Sequence, residues 1–262
     1  LAFTGAVVHT EPGKTLTNAT VLVQSGKITA VGTDLKIPAG FQQINVAGYH
    51  LYPGFIDLYS QYGVEKAAAT SHGSLSDGPM YQNARKGGNA VNAAIHAEQR
   101  WADSFSPNAD DAKAYQQQGF TVVQSARQDG IFRGQALLAS TGKGLPGELI
   151  LKADGQHFLS FDPGSSKQSY PSSLMGSIAL VRQTLADAQW YQQAYGKTDW
   201  RLFREPAPFN AALAALGQLN QSGLVFEISN ERNLLRADAL LKEFNLPKVA
   251  LVASGYEYSR ID

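Results

Sequence analysis

The chain contains no cysteine, which excludes a disulfide framework, a thiolate metal site and a cysteine nucleophile. No apolar run approaches the ~20 residues that a bilayer crossing needs, so the sequence predicts a soluble protein. Neither sign of charge is in excess, because 22 basic residues are balanced by 22 acidic ones. This balance argues against nucleic acid or a membrane surface as a partner and favours a small neutral or mixed-charge ligand.

Several common enzyme motifs are also missing. The sequence has no glycine-rich phosphate loop ending in Lys-Ser or Lys-Thr and no Gly-x-Ser-x-Gly elbow. The 262 residues are enough for one large α/β domain, or for one domain with a small accessory one. The absence of an initial methionine suggests a removed leader or tag. With the Asn- and Gln-rich composition it favours an exported, periplasmic protein, and a cytoplasmic location is the alternative.

The first 50 residues alternate short β-rich runs with turns, which predicts a small antiparallel sheet. The turn at residues 24–27 predicts a hairpin. Residues 51–63, LYPGFIDLYSQYG, then read as a buried strand with one carboxylate, Asp57, among apolar neighbours. An acid there is either an active-site group at a strand end or, more commonly, a structural cap of the next loop.

The middle of the chain is dominated by a segment of weak periodicity, residues 64–107, which is either a functional lid or poorly ordered. Two of the five histidines, His72 and His96, lie in it, and an isolated loop histidine is more often exposed than a metal ligand. Beyond it we predict a helix at 108–118 capped by Asn108, a strand at 120–124 and a strand at 149–153.

The segment at residues 127–135 is charged and glycine-rich, and we interpret it as a loop at a strand end. Its side chains Arg127, Asp129 and Arg133 can hold a substrate carboxylate or phosphate, but an internal Arg–Asp pair that fixes the loop is the favoured interpretation. His157 follows in an alternating run and can face either way.

The last third is the clearest α/β signal. Helices are predicted from Ser172 onward and at residues 210–221. A strand at 224–228, a helix at 232–244 and a strand at 249–253 then form a βαβ unit, which a barrel or a doubly wound sheet repeats.

The run Pro53-Gly54-Phe55-Ile56-Asp57 resembles a motif of the amidohydrolase superfamily, the imidazolonepropionase- and dihydroorotase-like metal-dependent hydrolases. In that family, Pro-Gly-hydrophobic-Ile-Asp-x-His-x-His forms the first barrel strand, and its histidines bind the metal. The upstream residues 18–32 are similar to the opening of many members. The resemblance implies a TIM-like (β/α) barrel over residues 51–262, incomplete in this chain, preceded by part of a composite β-sandwich at residues 1–50.

The same resemblance places other residues where the metal ligands would be. These degenerate positions are Tyr59, Gln61, Asn230 and Ser254. Phenols, neutral amides and hydroxyls are weak zinc ligands, so no metal and no other cofactor is expected. Glu257 keeps the family's glutamate position. The pocket candidates are therefore Asp57, Arg127, Asp129, Arg133 and Glu257; Glu227 with Asp57 is a further possible acid–base pair.

Three functions follow as alternatives. The first is an inactive or metal-free homologue that binds a small molecule or pairs with an active amidohydrolase chain, as a homo-oligomer or a mixed assembly. The second is an active hydrolase of cyclic amides or related C–N bonds, the family's activity, with zinc or another divalent metal held by His72, His96 or His157. The third is a purely structural role in assembly. The family's eighth-strand aspartate is not among these residues, so we expect a longer natural protein or a second chain to supply the remaining strands.

Overall fold

A computed structural model describes residues 1–66, 92, 94–165, 170–195 and 208–260 of the chain. These residues form a mixed α/β fold with three sheets. The chain divides into two compact units, Leu1–Phe55 and Ile56–Asp262. None of the helices within the described ranges combines the length and the apolar character that a bilayer crossing requires.

The first unit is built on one five-stranded sheet with the order β3-β2-β1-β4, in which β5 also pairs with β1. The two-residue turn after β2 has Ser25 at φ 51° and Gly26 at φ 74°, the left-handed geometry that suits a tight hairpin, so the predicted hairpin is confirmed. The strands are β1 (Ala2–Glu11), β2 (Lys14–Gln24), β3 (Lys27–Gly32), β4 (Gln43–Asn45) and β5 (His50–Leu51).

The prediction that this sheet is purely antiparallel is wrong, because β4 and β5 both run parallel to β1. Residues 33–42 join β3 to β4 in place of a tight turn, and a connection of that kind lets the chain return in the same direction. Alternate residues of β1, including Ala6 and Val8, face a small core that also holds Ala19 and Val21.

The second unit contains two four-stranded sheets, with the orders β10-β9-β7-β6 and β13-β12-β11-β8. In the second sheet β11, β12 and β13 are parallel, and β8 is antiparallel to β11. The strands are β6 (Phe55–Ser60), β7 (Phe120–Ser125), β8 (Phe132–Gln135), β9 (Leu137–Ser140), β10 (Ile150–Lys152), β11 (His157–Ser160), β12 (Leu224–Glu227) and β13 (Val249–Val252). The helices are α1 (Ala109–Gln117), α2 (Pro146–Leu149), α3 (Leu174–Ala194), α4 (Ala211–Leu216), α5 (Leu219–Ser222) and α6 (Glu231–Glu243).

The sheet that contains β11 and β12 is covered by apolar residues on both faces. Leu159 and Phe226 belong to a core that also includes buried residues of α3, α4 and α6. Their strand neighbours Phe158 and Val225 point the other way, into a second core. Successive strand residues face opposite sides, so the last residue of β12, Glu227, lies on the Val225 face.

Most of the predicted elements are confirmed, but the prediction that residues 51–63 form a buried strand is wrong in its burial, because Phe55, Ile56 and Leu58 of β6 are more than half exposed. Asn108 caps α1, with its Oδ1 accepting a hydrogen bond from the Asp111 amide at 2.7 Å, and Ser173 caps α3. The βαβ unit is β12-α6-β13, with parallel strands. The helix predicted at residues 210–221 is instead two short helices, α4 and α5; the interruption falls at Gly217, whose lack of a side chain makes it a poor helix former.

The segment at residues 127–135 is not wholly a loop, because its end forms β8. Phe132 and Arg133 are both 3% exposed. Gly134 has φ +85°, and a Cβ there would come within 2.5 Å of the Gln99 carbonyl oxygen. The glycine therefore admits a second chain segment beside the strand.

That second segment is residues 94–100, part of the region expected to be a lid or disordered. The His96 amide donates to the Phe132 carbonyl at 2.7 Å, and the Trp101 indole donates to the Arg133 carbonyl at 2.6 Å. Residues 67–91, with His72, lie outside the described residues.

Candidate functional site

Three polar side chains from three strands meet at one point in the second unit. The Arg133 guanidinium on β8 donates from Nη1 to the Tyr59 hydroxyl of β6 at 2.5 Å. Its Nη2 donates to Oε2 of Glu227, at the end of β12, at 2.7 Å. We call Tyr59, Arg133 and Glu227 the strand-end cluster.

The sheet geometry explains this convergence. Glu227 and Ser160 are register partners at the carboxyl ends of the parallel strands β12 and β11. Tyr59 packs beside them, with its ring stacked on Phe158 at 5.2 Å between ring centroids. The Arg133 side chain is held in place by a further hydrogen bond from Nε to the Gly130 carbonyl at 3.0 Å.

The charges in the strand-end cluster are unequally exposed. The Arg133 side chain is 4% exposed and the Glu227 side chain 34%. Burial raises the pKa of the Tyr59 phenol above its ordinary value; the charge of Arg133 opposes this shift and Glu227 adds to it. The phenol therefore stays protonated at neutral pH, and the cluster presents a neutral hydroxyl, a buried cation and a partly exposed carboxylate.

Gln61, the other substituted position on the first strand segment, belongs to a neighbouring amide pair. Its Nε2 donates to the Gln128 side-chain oxygen at 3.1 Å, and its side-chain oxygen accepts from the Gln128 backbone amide at 3.3 Å. The pair ties the end of β6 to the loop after β7.

The internal Arg–Asp pair expected in the loop at 127–135 is wrong. Asp129 accepts hydrogen bonds from the Ser165 backbone amide at 2.5 Å and from the Ser165 hydroxyl at 2.8 Å. Arg133 bonds to Tyr59 and Glu227 instead, and Arg127 has a buried Nε with no hydrogen-bond partner among the described residues. The contact of Asp129 with Ser165 therefore fixes the loop together with the Arg133–Gly130 bond and the Gln61–Gln128 pair.

The remaining candidates stabilise local turns. Asp57 Oδ1 accepts from the Tyr59 backbone amide at 2.9 Å. Asn230 is the N-cap of α6 and accepts from the Asn233 amide at 3.0 Å. The Ser254 hydroxyl donates to Glu257 at 2.9 Å. The Asp57 bond reaches the backbone of Tyr59, and none of these hydrogen bonds involves the side chain of a strand-end cluster member.

One described histidine of the second unit, His157, lies away from the strand-end cluster. His157 begins β11, at the opposite end of that strand from Ser160. It is 4% exposed, and burial lowers the pKa of its imidazole from 6.5 to about 4. His96 contacts the Phe132 end of β8, whereas His157 pairs with the Gln135 end. The structure does not bring His96 and His157 together.

These residues do not fit the metal that the family resemblance implies. Within the described ranges, no group of three or more His, Cys, Asp and Glu side chains is placed to hold an ion. Tyr59 stands where the family resemblance implies a metal-binding histidine. The Arg133 guanidinium donates a hydrogen bond to the Tyr59 hydroxyl. A fixed cation there opposes the binding of a second cation by Coulomb repulsion.

The comparisons with solved structures identify the fold. An amidohydrolase from Thermotoga maritima matches with a TM-score of 0.72 and 16% sequence identity, over 98% of this chain and 65% of that one. A D-hydantoinase (dihydropyrimidinase) from a Thermus species covers 95% of this chain and 56% of its own at 13% identity, with a TM-score of 0.34 that supports no argument. No protein-family profile and no curated protein sequence matches the chain.

The chain therefore has the fold of the Thermotoga amidohydrolase and spans less than two thirds of its length. The resemblance drawn from residues 53–57 is confirmed at the level of the fold.

Proposed function

We propose that this chain is an amidohydrolase-superfamily protein whose strand-end site binds a small polar molecule without a metal. The fold likeness supports the family, whose activity is the hydrolysis of C–N bonds outside peptides. The observation that carries the metal-free assignment is the bond of the Arg133 guanidinium to both Tyr59 and Glu227.

The proposed architecture is a partial (β/α) barrel after a composite N-terminal domain. It is supported by the parallel order of β11, β12 and β13 and by the alternation of their residues between two cores, as in a barrel wall that faces helices on one side and an interior on the other. The interior side carries the strand-end cluster, where barrel proteins place their ligands.

The chemistry available there is recognition by hydrogen bonds. Arg133 uses three of its five N–H groups on Gly130, Tyr59 and Glu227. The partly exposed Glu227 carboxylate accepts hydrogen bonds from a ligand N–H or cation. A ligand with an amide or amidine N–H and an adjacent oxygen is complementary to the Arg133–Glu227 pair. Cyclic amides belong to that class.

Hydrolysis and binding assays test the proposal together. The full chain is incubated with hydantoin, a cyclic amide, with and without added zinc, and binding of small amides is followed by ligand-observed NMR. We expect no hydrolysis of hydantoin and measurable binding of small amides. The affinity should fall at least tenfold in Arg133→Met and stay unchanged in Asn230→Ala. Zinc-dependent turnover that Glu227→Gln abolishes would favour the competing proposal, an active C–N hydrolase.

A further inference from the structure

The sheet of the first unit carries a second cluster of polar aromatic side chains. His9 Nε2 and His50 Nδ1 are 2.8 Å apart. Tyr52 stacks flat on His9, with ring centroids 4.2 Å apart and an interplanar angle of 2°. Neither the family resemblance nor the strand-end cluster explains this arrangement.

The pairing of β1 with β5 places these residues on one face. Val7 is the register partner of His50, and Val8 that of Leu51. Val8 and Leu51 pack in or against the small core. Their neighbours along the chain, His9, His50 and Tyr52, therefore lie on the opposite face. Tyr52 is 62% exposed there.

We infer that His9 and His50 form a binding site for a borderline divalent cation such as Ni²⁺, Cu²⁺ or Zn²⁺. Imidazole nitrogens suit these ions. Two nitrogens on adjacent coordination positions of one metal, each ~2.0 Å from it, lie about 2.9–3.4 Å apart. The observed separation of 2.8 Å is that of a hydrogen bond between the two nitrogens. The ion would take the place of the shared proton, and a rotation of the two side chains would bring the nitrogens to the metal-bound spacing.

The other nitrogen of His9 supports this assignment. Thr15 on the neighbouring strand β2 places its hydroxyl 3.2 Å from His9 Nδ1. When Nδ1 carries the proton and donates it to Thr15, Nε2 keeps its lone pair for the metal, and metal-binding histidines use an outer hydrogen bond of this kind. The next register pair along β1 and β2, Glu11 and Lys14, forms its own ion pair at 2.7 Å and adds no net charge against the ion.

Calorimetric titration of the tag-free chain with NiCl₂ tests the site. We expect saturable binding of one ion per chain, at least tenfold weaker in His9→Gln and in His50→Gln, and severalfold weaker in Thr15→Val, which keeps both histidines.

His72→Gln and His96→Gln are the matched controls and bind as the unchanged chain does. The inference is overturned if the unchanged chain shows no saturable binding at millimolar Ni²⁺, or if His50→Gln retains full affinity. It is equally overturned if either control loses binding. Far-UV circular dichroism checks that each variant is folded.

Discussion

Arg133 and Glu227 form an ion pair in which the cation is almost fully buried and the anion is not, at 4% and 34% side-chain exposure. The buried partner depends more on the pair than the exposed one does, because water can still solvate a carboxylate left alone. This asymmetry determines how the two single substitutions should differ.

Glu227→Gln is expected to lower the free energy of unfolding by about 2 kcal/mol, below the full cost of breaking a buried pair because the carboxylate is partly solvated. Arg133→Met should cost less, since methionine fills much of the same volume. Urea denaturation measures both. Lys242→Met, which breaks an exposed pair with Asp238, is the control and should change stability by about 0.5 kcal/mol or less. A larger loss in Arg133→Met than in Glu227→Gln would refute the asymmetry.

Tyr59→Phe isolates the phenol. The ring remains stacked on Phe158, and one Arg133 N–H loses its partner, so stability at neutral pH should fall by about 1 kcal/mol.

The pH dependence of Tyr59 has a definite sign. Its folded pKa lies above the ordinary value of 10, so the unfolded chain releases the phenol proton first and stability is lost as pH rises above about 10. Tyr59→Phe should lose less stability than the unchanged chain over that range. Burial raises the pKa of Tyr62 and Tyr115 as well, and both remain in either protein, so the difference between the two proteins reports Tyr59. Equal alkaline profiles would contradict the burial of its hydroxyl.

His157 gives an acid-side prediction. Burial lowers its pKa from 6.5 to about 4, so the unfolded chain binds a proton that the folded chain refuses. Stability contributed by the neutral imidazole is present above pH 6.5 and is lost as pH falls toward 4, on the order of 3 kcal/mol in total. His157→Gln should flatten stability across that window, whereas His96→Gln should leave the slope in place. An NMR titration midpoint near 6.5 for His157 would show the prediction to be wrong.

Substitution of Asn230 distinguishes a helix-capping role from a role in ligand binding. Asn230→Ala should destabilise the chain by about 1 kcal/mol, the usual cost of a lost N-cap, without altering ligand binding at the strand-end cluster. Asn108→Ala, which removes the cap of α1, should cost a similar amount. A loss of ligand binding in Asn230→Ala with unchanged stability would place Asn230 in the site.

Local patterns were enough to predict much of the fold. The hairpin at Ser25-Gly26, the caps Asn108 and Ser173 and the βαβ unit at the end of the chain follow from turn, capping and periodicity rules that act over a few residues. The parallel pairing of β4 and β5 with β1 depends on contacts between residues about 40 positions apart, and no local pattern encodes it.

The strand-end cluster was predicted only in part. Arg133 was a candidate because guanidinium groups suit anions, but its partners Tyr59 and Glu227 lie 74 and 94 residues away. The sequence alone therefore favours Asp129, in the same loop, as the partner of Arg133. In the structure Asp129 bonds to Ser165 instead. The available signal for Glu227 was its place as the last residue of the parallel strand β12, on the same face as Val225.

A crystal structure of the chain grown with zinc, with anomalous diffraction data at the zinc edge, tests the central claim most directly. The account predicts no anomalous peak between Tyr59 and Glu227, with Arg133 still within hydrogen-bonding distance of both; a peak at His9 and His50 bears on the separate cation site. A zinc peak bound by Glu227, with the Arg133 guanidinium displaced, would contradict the proposal that this site works without a metal.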